Sequence, residues 1–216
     1  LLDELTHGVV VTPNVDHLIK LQKDQSFYNI YQQADYVVLD SRVIYYMLKL
    51  LGFPIRGVIP GSELFPAFYN YHRNNEAIKI FLLGSMNDIA EKAMKKINQK
   101  TGRNIIVGAY SPSYGFDKKP EECSKIIEMI NTSGASVLAI GVGAPKQEKW
   151  LVQYLPRLKN VKIGLAIGAA IDFEAGYRRR SPRWIQLIGM EWFFRFLTEP
   201  KRLWKRYFIE DLPFFK

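Results

Sequence analysis

Six short apolar runs recur along the chain: GVVVT (8–12), YVVLD (36–40), IKIFLLG (78–84), NIIVGAY (104–110), SVLAIGVG (136–143) and VKIGLAIG (161–168). Each is β-branched and nearly continuous in its apolar character, the pattern of a strand buried on both faces of a parallel sheet. Between them, apolar positions at helical spacing predict helices near 14–23, 41–51, 62–74, 87–99, 119–132 and 146–155. Strands alternating with helices of this length predict right-handed βαβ units. The expected fold class is therefore α/β: a Rossmann-like, mostly parallel sheet flanked by helices.

After Glu174 the pattern changes. Strand signals stop, and three short helical segments are expected near 181–188, 190–197 and 200–209. Pro200 suits a first helical turn but not an interior, so the last two segments read as separate helices. The boundary falls near Ala175–Gly176, giving a core over 1–175 and a short helical C-terminal appendage over 176–216. No internal repeat or low-complexity stretch interrupts either part.

Charge sharpens this division. The 216-residue chain carries a formal net charge of +9, and residues 175–216 hold ten Lys/Arg against four Asp/Glu, six of those nine positive charges. The same 42 residues contain eleven aromatics. A basic, aromatic end implies an anionic partner there. Cys123 is the only cysteine, which excludes an intrachain disulfide and fits a reducing compartment; with three scattered histidines it forms no metal-ligand cluster. No run approaches the roughly 20 apolar residues of a membrane span. The chain begins at Leu1, and nothing in it reads as a signal peptide.

In doubly wound sheets, ligands bind beyond the carboxyl ends of the strands. Those turns here carry several ligand-friendly residues. TPN places Thr12 and Asn14 between strand and helix, with Asn14 equally suited to capping the helix. Gly84 and Ser85 precede a helix whose N-terminus favours an anion, although ordinary connections use glycine too. Gly141 and Gly143 lead through Pro145 into Lys146, Gln147 and Glu148. Lys146 stands where a dinucleotide fingerprint needs its third glycine and the expected acid downstream is missing, so NAD is disfavoured and a smaller nucleotide diphosphate stays open. Arg56, Gly61 and Ser62 form a loop and helix entrance suited to phosphate or sugar hydroxyls, with Ser62 a candidate cap. Asp40 ends its strand just before a helix; spacing alone favours a helix cap over a general base. Asp172 and Glu174 make an Asp-Phe-Glu triplet, for which a metal role is the minority reading.

Taken in order, TPNVDHL, the strand-end Asp40, RGVIPGSELF, LLGS, GVGAPKQE and IGAAIDFEAGYRRRSPRW resemble the WecG/TagA/CpsF glycosyltransferases, glycosyltransferase family 26. The resemblance runs from about residue 9 to about 208, and GAPKQE with IGAAIDFEAG and RRRSPRW is its specific part. One departure is Asp40-Ser41, where the family often has Asp-Gly. The resemblance implies an inverting enzyme without cofactor or metal. It would move a sugar from a UDP-sugar to an undecaprenyl-diphosphate-linked sugar on the cytoplasmic face of a bacterial membrane. The leading expectation is N-acetylmannosamine placed on lipid-linked N-acetylglucosamine, for wall teichoic acid or another surface polysaccharide. Use of UDP-glucose or UDP-N-acetylmannosaminuronic acid for exopolysaccharide is an alternative, as is a noncatalytic nucleotide-sugar-binding membrane protein.

The resemblance also implies roles. Asp40 becomes the base. Thr12, Asn14, Gly84, Ser85, Gly143, Gln147 and Asp172 surround the donor; Arg56, Gly61, Ser62, Arg195 and Arg202 meet the sugar or acceptor. The appendage would both reach an anionic membrane surface and close over the site, and the core could self-associate. Trp184, Ile188, Trp192 and Phe196 at i+4 spacing, among basic residues, match an interfacial amphipathic pattern. A nucleic-acid-binding tail would leave the strand-end polar residues unexplained and is disfavoured.

Overall fold

The computed structural model describes residues 2–210, except the side chains of Arg202, Arg206 and Glu210. Its elements in chain order are β1 (Gly8–Val11), α1 (Val15–Lys23), α2 (Gln25–Gln33), β2 (Tyr36–Val37), α3 (Arg42–Leu50), α4 (Gly61–Tyr71) and β3 (Ile80–Gly84). Then come α5 (Ile89–Thr101), β4 (Ile106–Tyr110), α6 (Pro120–Ser133), β5 (Val137–Gly141), α7 (Lys146–Tyr154), β6 (Ile163–Ala166) and α8 (Ala170–Glu174). The chain continues through α9 (Arg183–Leu187), α10 (Glu191–Thr198), α11 (Pro200–Lys205) and a π-helical turn over Arg206–Glu210.

All six strands are parallel, in the order β2-β1-β6-β5-β3-β4. The period-two alternation of side chains sorts each strand between two cores. Val10, Ile80, Leu82, Val137 and Ala139 join α4, α5 and α8 on one face, through Phe65, Phe68, Ala93, Ile97 and Ile171. Val9, Val11, Phe81, Leu83, Leu138 and Ile140 join α6 and α7 on the other, through Ile126, Ile130, Trp150 and Leu151. Both faces are buried, which is why the strands read as unbroken apolar runs.

Two expectations need correction. The apolar pattern predicts no helix at Gln25–Gln33. Asp24 caps one there, accepting the Phe27 N–H at 3.0 Å, and only Phe27 and Ile30 of its nine residues are buried. Two buried apolar positions among polar and aromatic neighbours left no visible stripe. The run at 36–40 holds a strand only at Tyr36–Val37. Beyond it, the Val38 N–H still donates to Val11 O at 2.9 Å and the Asp40 N–H to Pro13 O at 3.0 Å. The edge chain thus stays tethered to β1, which fixes Asp40 at the sheet's carboxyl edge.

The central strands end in glycines packed backbone to backbone. A Cβ on Gly84, at φ +150°, would lie 2.6 Å from Gly141 O, and one on Gly141 would lie 2.3 Å from Gly168 O. Only glycine lets β3, β5 and the turn after β6 approach this closely, and their ends make the floor of a cavity.

Candidate active site

The cavity, about 720 Å³, opens above the carboxyl ends of β1, β3, β5 and β6, and residues of α10 and the chain after α11 form part of its wall. At its β1 side, the Thr12 hydroxyl donates to Ala166 O at 2.9 Å, tying β1 to β6. Asn14 caps α1 by accepting the His17 N–H at 3.4 Å while lining the cavity, so the cap and ligand-facing readings coexist.

Asp40 does not cap the helix that follows it. Ser41 does, accepting the Ile44 N–H at 3.4 Å. The Asp40 carboxylate instead crosses to the start of α4, where its Oδ1 accepts the Gly61 N–H at 2.9 Å. Half-buried at the cavity wall, it is shifted by burial above the ordinary carboxylate range, and Glu191 adds to the shift. Arg195, the Gly61 N–H and Arg180 pull the other way without cancelling it. A carboxylate held at the N-terminus of one helix and harder to ionise than usual is suited to take up a proton. Ser62 lines the cavity but is not a cap: Pro60 precedes the helix, and the buried Ser62 Oγ has no hydrogen-bond partner.

Elsewhere on the cavity wall, the turn after β5 is braced from within. Gln147 Oε1 accepts the Gly143 N–H at 3.2 Å, and its Nε2 donates to Glu148 Oε1 at 2.7 Å. Glu148 is fully buried, and burial pushes its carboxyl up to about 7, against the Gln147 hydrogen bond. Lys20 Nζ donates to Ala144 O at 3.0 Å in the same turn and pairs with Asp16 at 2.7 Å.

At the β3 end, Ser85 adopts a positive φ of 64°, and its hydroxyl donates to Asp172 Oδ1. Asp172 Oδ2 faces Arg178 Nε at 3.0 Å, and Arg178 Nη1 reaches Glu199 Oε1 at 3.5 Å. Glu174 turns away from Asp172, to Lys100 at 2.6 Å and Tyr69 Oη at 2.9 Å, so the Asp-Phe-Glu carboxylates diverge. Among the described residues, no group of three or more His, Cys, Asp or Glu is placed to hold a metal ion.

Arg195 enters from α10. It pairs with Glu191 at 2.7 Å, stacks over Phe173 at 5.2 Å from the ring centroid, and lines the cavity. Burial opposes its charge, but Glu191 and Asp40 outweigh burial and raise its pKa. The site thus joins a strand-end carboxylate to guanidinium groups, the components needed to activate a hydroxyl and receive a departing anion.

A family model described as the glycosyl transferase WecG/TagA/CpsF family matches residues 1–216. The chain belongs to this family. Two curated relatives carry the same description, N-acetylglucosaminyldiphosphoundecaprenol N-acetyl-beta-D-mannosaminyltransferase. The Bacillus subtilis (strain 168) protein is 26% identical over 206 residues, spanning 95% of this chain and 77% of the relative. The Staphylococcus aureus (strain MRSA252) protein is 27% identical over 208 residues, with the same coverage of 95% and 77%.

Within this WecG/TagA/CpsF glycosyl transferase, eight of the residues expected at the site line one cavity: Thr12, Asn14, Asp40, Ser62, Ser85, Gly143, Gln147 and Asp172. Arg195 joins them from the appendage. Gly61 acts from behind, through its N–H on Asp40. Gly84 packs against Gly141 instead of facing the cavity. Arg56 is exposed on the loop before α4 and does not line the cavity, a correction to its expected place. The Arg202 side chain lies outside the described residues.

Arg178, Arg180 and Glu191 were missing from the sequence-derived site. Arg180 Nη2 binds Glu63, a lining residue, at 2.7 Å. The signal for both arginines was already visible in RRRSPRW, directly after Asp172 and Glu174. The tail's i+4 stripe does not form one helical face. Gly189, at φ +79°, ends α9 and leaves Trp184 and Trp192 on different helices.

Proposed function

We propose that this family member transfers N-acetylmannosamine from its UDP derivative to undecaprenyl-diphosphate-linked N-acetylglucosamine, inverting the anomeric centre, in teichoic acid or related surface polysaccharide synthesis. The activity that both relatives are named for supports the sugar and acceptor. The observation that carries the chemistry is Asp40, held by the Gly61 N–H on the cavity wall with its carboxyl raised by burial.

In this reaction the acceptor hydroxyl attacks the anomeric carbon from the face opposite UDP. Its proton passes to Asp40 as the new C–O bond forms and the bond to the diphosphate oxygen breaks. UDP departs with increased negative charge, which Arg195 and Arg178 neutralise at the cavity wall. Gln147, Thr12, Asn14 and Asp172 shape the donor pocket, and Ser62 offers its unpaired hydroxyl to a sugar. No metal is required in this reading. Residues 176–216 act as an appendage that closes the cavity and meets the anionic inner face of the membrane, making the protein peripheral there. Among the described residues no helix is long and apolar enough to cross a membrane.

Release of UDP from a panel of UDP-sugars, with a short-chain polyprenyl-diphosphate N-acetylglucosamine acceptor and excess EDTA, tests this reading. UDP-N-acetylmannosamine should be the preferred donor, and EDTA should leave the rate unchanged. Preference for UDP-glucose or the uronic acid would reassign the donor, and UDP-sugar binding without turnover would make the chain a noncatalytic binder.

A further inference from the structure

The core itself carries an apolar projection that the chemistry does not use. Helix α3 begins at the cavity, where Ser41, Arg42 and Val43 line the wall. Its nine residues then run roughly 13 Å away, at about 1.5 Å per residue. At its last residue and just beyond, Leu50 is 89% exposed, Leu51 68% and Phe53 52%. Burial in the fold therefore does not account for these three side chains.

The turn's backbone suits an apolar medium. The N–H groups of Leu51, Gly52 and Phe53 donate to Met47 O, Lys49 O and Leu48 O at 3.0, 3.0 and 2.9 Å, closing the helix end around Gly52 at φ +82°. The Ile55 N–H takes up Phe53 O at 2.9 Å. Carbonyls at a helix end are costly to take out of water when unpaired, and here those of Met47, Leu48 and Lys49, three of the last four in the helix, are satisfied.

Charge selects the occupant. Residues 42–59 contain Arg42, Lys49 and Arg56 and no acidic residue. Lys49 and Arg56 are exposed on either side of the apolar tip. A second copy docked about a twofold axis would set this patch against itself, cation facing cation. An anionic lipid surface instead receives the apolar tip below its headgroups and the cations among them. The tail lies on the same side: Tyr46 Oη donates to Leu187 O at 2.9 Å, where Trp184, Leu187 and Ile188 are exposed.

We propose that the Leu50-Leu51-Gly52-Phe53 turn of the core inserts into an anionic lipid surface, with Lys49 and Arg56 at headgroup level. Inserted there, it holds the cavity about one α3 length from the buried tip, facing the headgroup layer where a lipid-linked diphosphate lies. This rests on the membrane-borne acceptor proposed above but assigns the contact to the core rather than to the appendage alone.

The test uses the full chain with an environment-sensitive label on a Leu50→Cys variant, Cys123 being buried. The control label is placed by Thr132→Cys on α6. With vesicles of phosphatidylcholine and phosphatidylglycerol, the Leu50 label should shift to the blue and be quenched by brominated lipid, while the control label should not. Phosphatidylcholine alone should give a much smaller response. The L50S/L51S/F53S variant should bind the anionic vesicles at least about tenfold more weakly. Its UDP release with a short-chain acceptor should stay within about twofold of the parent. A Leu50 label that remains in water on vesicle-bound protein overturns the proposal, as does absence of vesicle binding. A dimer in sedimentation that the triple variant abolishes also overturns it, because a second copy then covers the turn. Lipid insertion by a chain that releases no UDP would leave this proposal standing and remove the transferase reading; turnover with a solvent-exposed label would do the reverse.

Discussion

Arg178 Nε lies 3.0 Å from Asp172 Oδ2, so the first arginine of the appendage is fastened to the carboxylate that also holds Ser85. The same guanidinium continues to Glu199, immediately after α10. Cavity and appendage are thereby joined through one side chain.

Arg178→Ala should break that link. Loss of a charge-assisted hydrogen bond of about 1.5–3 kcal/mol corresponds to about a 10–150-fold fall in kcat/KM. Limited proteolysis should show faster cutting between residues 176 and 183 than in the parent. A double-mutant cycle with Asp172→Asn should give a coupling of about 1 kcal/mol in UDP binding. Additive effects would separate the two residues.

The pH dependence of turnover should report Asp40. Burial raises its carboxyl, so the base is ionised only above a pKa higher than the ordinary 3.8. The acid limb of kcat/KM should fall as pH drops through that raised value, and its midpoint should lie above 3.8. Arg195→Ala removes the strongest influence that lowers the Asp40 pKa and should move the limb to higher pH.

Arg195→Ala should also lower kcat, by about 10²–10³ if the guanidinium meets the departing diphosphate. Vesicle binding should weaken by less than about fivefold, since Arg195 is already paired with Glu191. Measuring both on one preparation separates catalysis from attachment. Unchanged turnover with weakened vesicle binding would place Arg195 at the membrane instead.

Glu148 gives a stability prediction of definite sign. Its folded pKa of about 7 lies above the 4.5 of an unperturbed glutamate, so between these values the folded state binds the extra proton. Stability then falls as pH rises from 4.5 to 7, and the full cost, up to about 3 kcal/mol, is present above 7. Glu148→Gln keeps an acceptor for Gln147 and removes that cost. Urea unfolding at pH 5 and pH 8 should show the variant gaining relative to the parent only at the higher pH.

The sheet was legible because burial on both faces writes a strand as an apolar run, and all six runs hold a strand. The cavity was legible for a related reason: strand-end residues such as Thr12, Ser85 and Gly143 converge wherever parallel strands end together. Helix α2 was hidden because Phe27 and Ile30 alone supply its buried face. Spacing alone favours a cap at Asp40 because it shows the helix that follows and not the approach of Gly61, twenty-one residues on; the base role came from the family resemblance. Arg56 was misplaced for the opposite reason, a nearby position whose loop carries it to the surface. Ion pairs across the fold, such as Arg180 with Glu63, leave no local pattern to read.

The most direct test of the proposed chemistry compares Asp40→Asn with the parent in two assays: UDP affinity by calorimetry, and UDP release with UDP-N-acetylmannosamine and a short-chain lipid-diphosphate acceptor. Asparagine keeps an oxygen for the Gly61 N–H but cannot accept the proton. UDP affinity should therefore stay within about threefold while turnover falls by about 10²–10⁴. Turnover within about threefold of the parent, with UDP affinity intact, would contradict the assignment of Asp40 as the base.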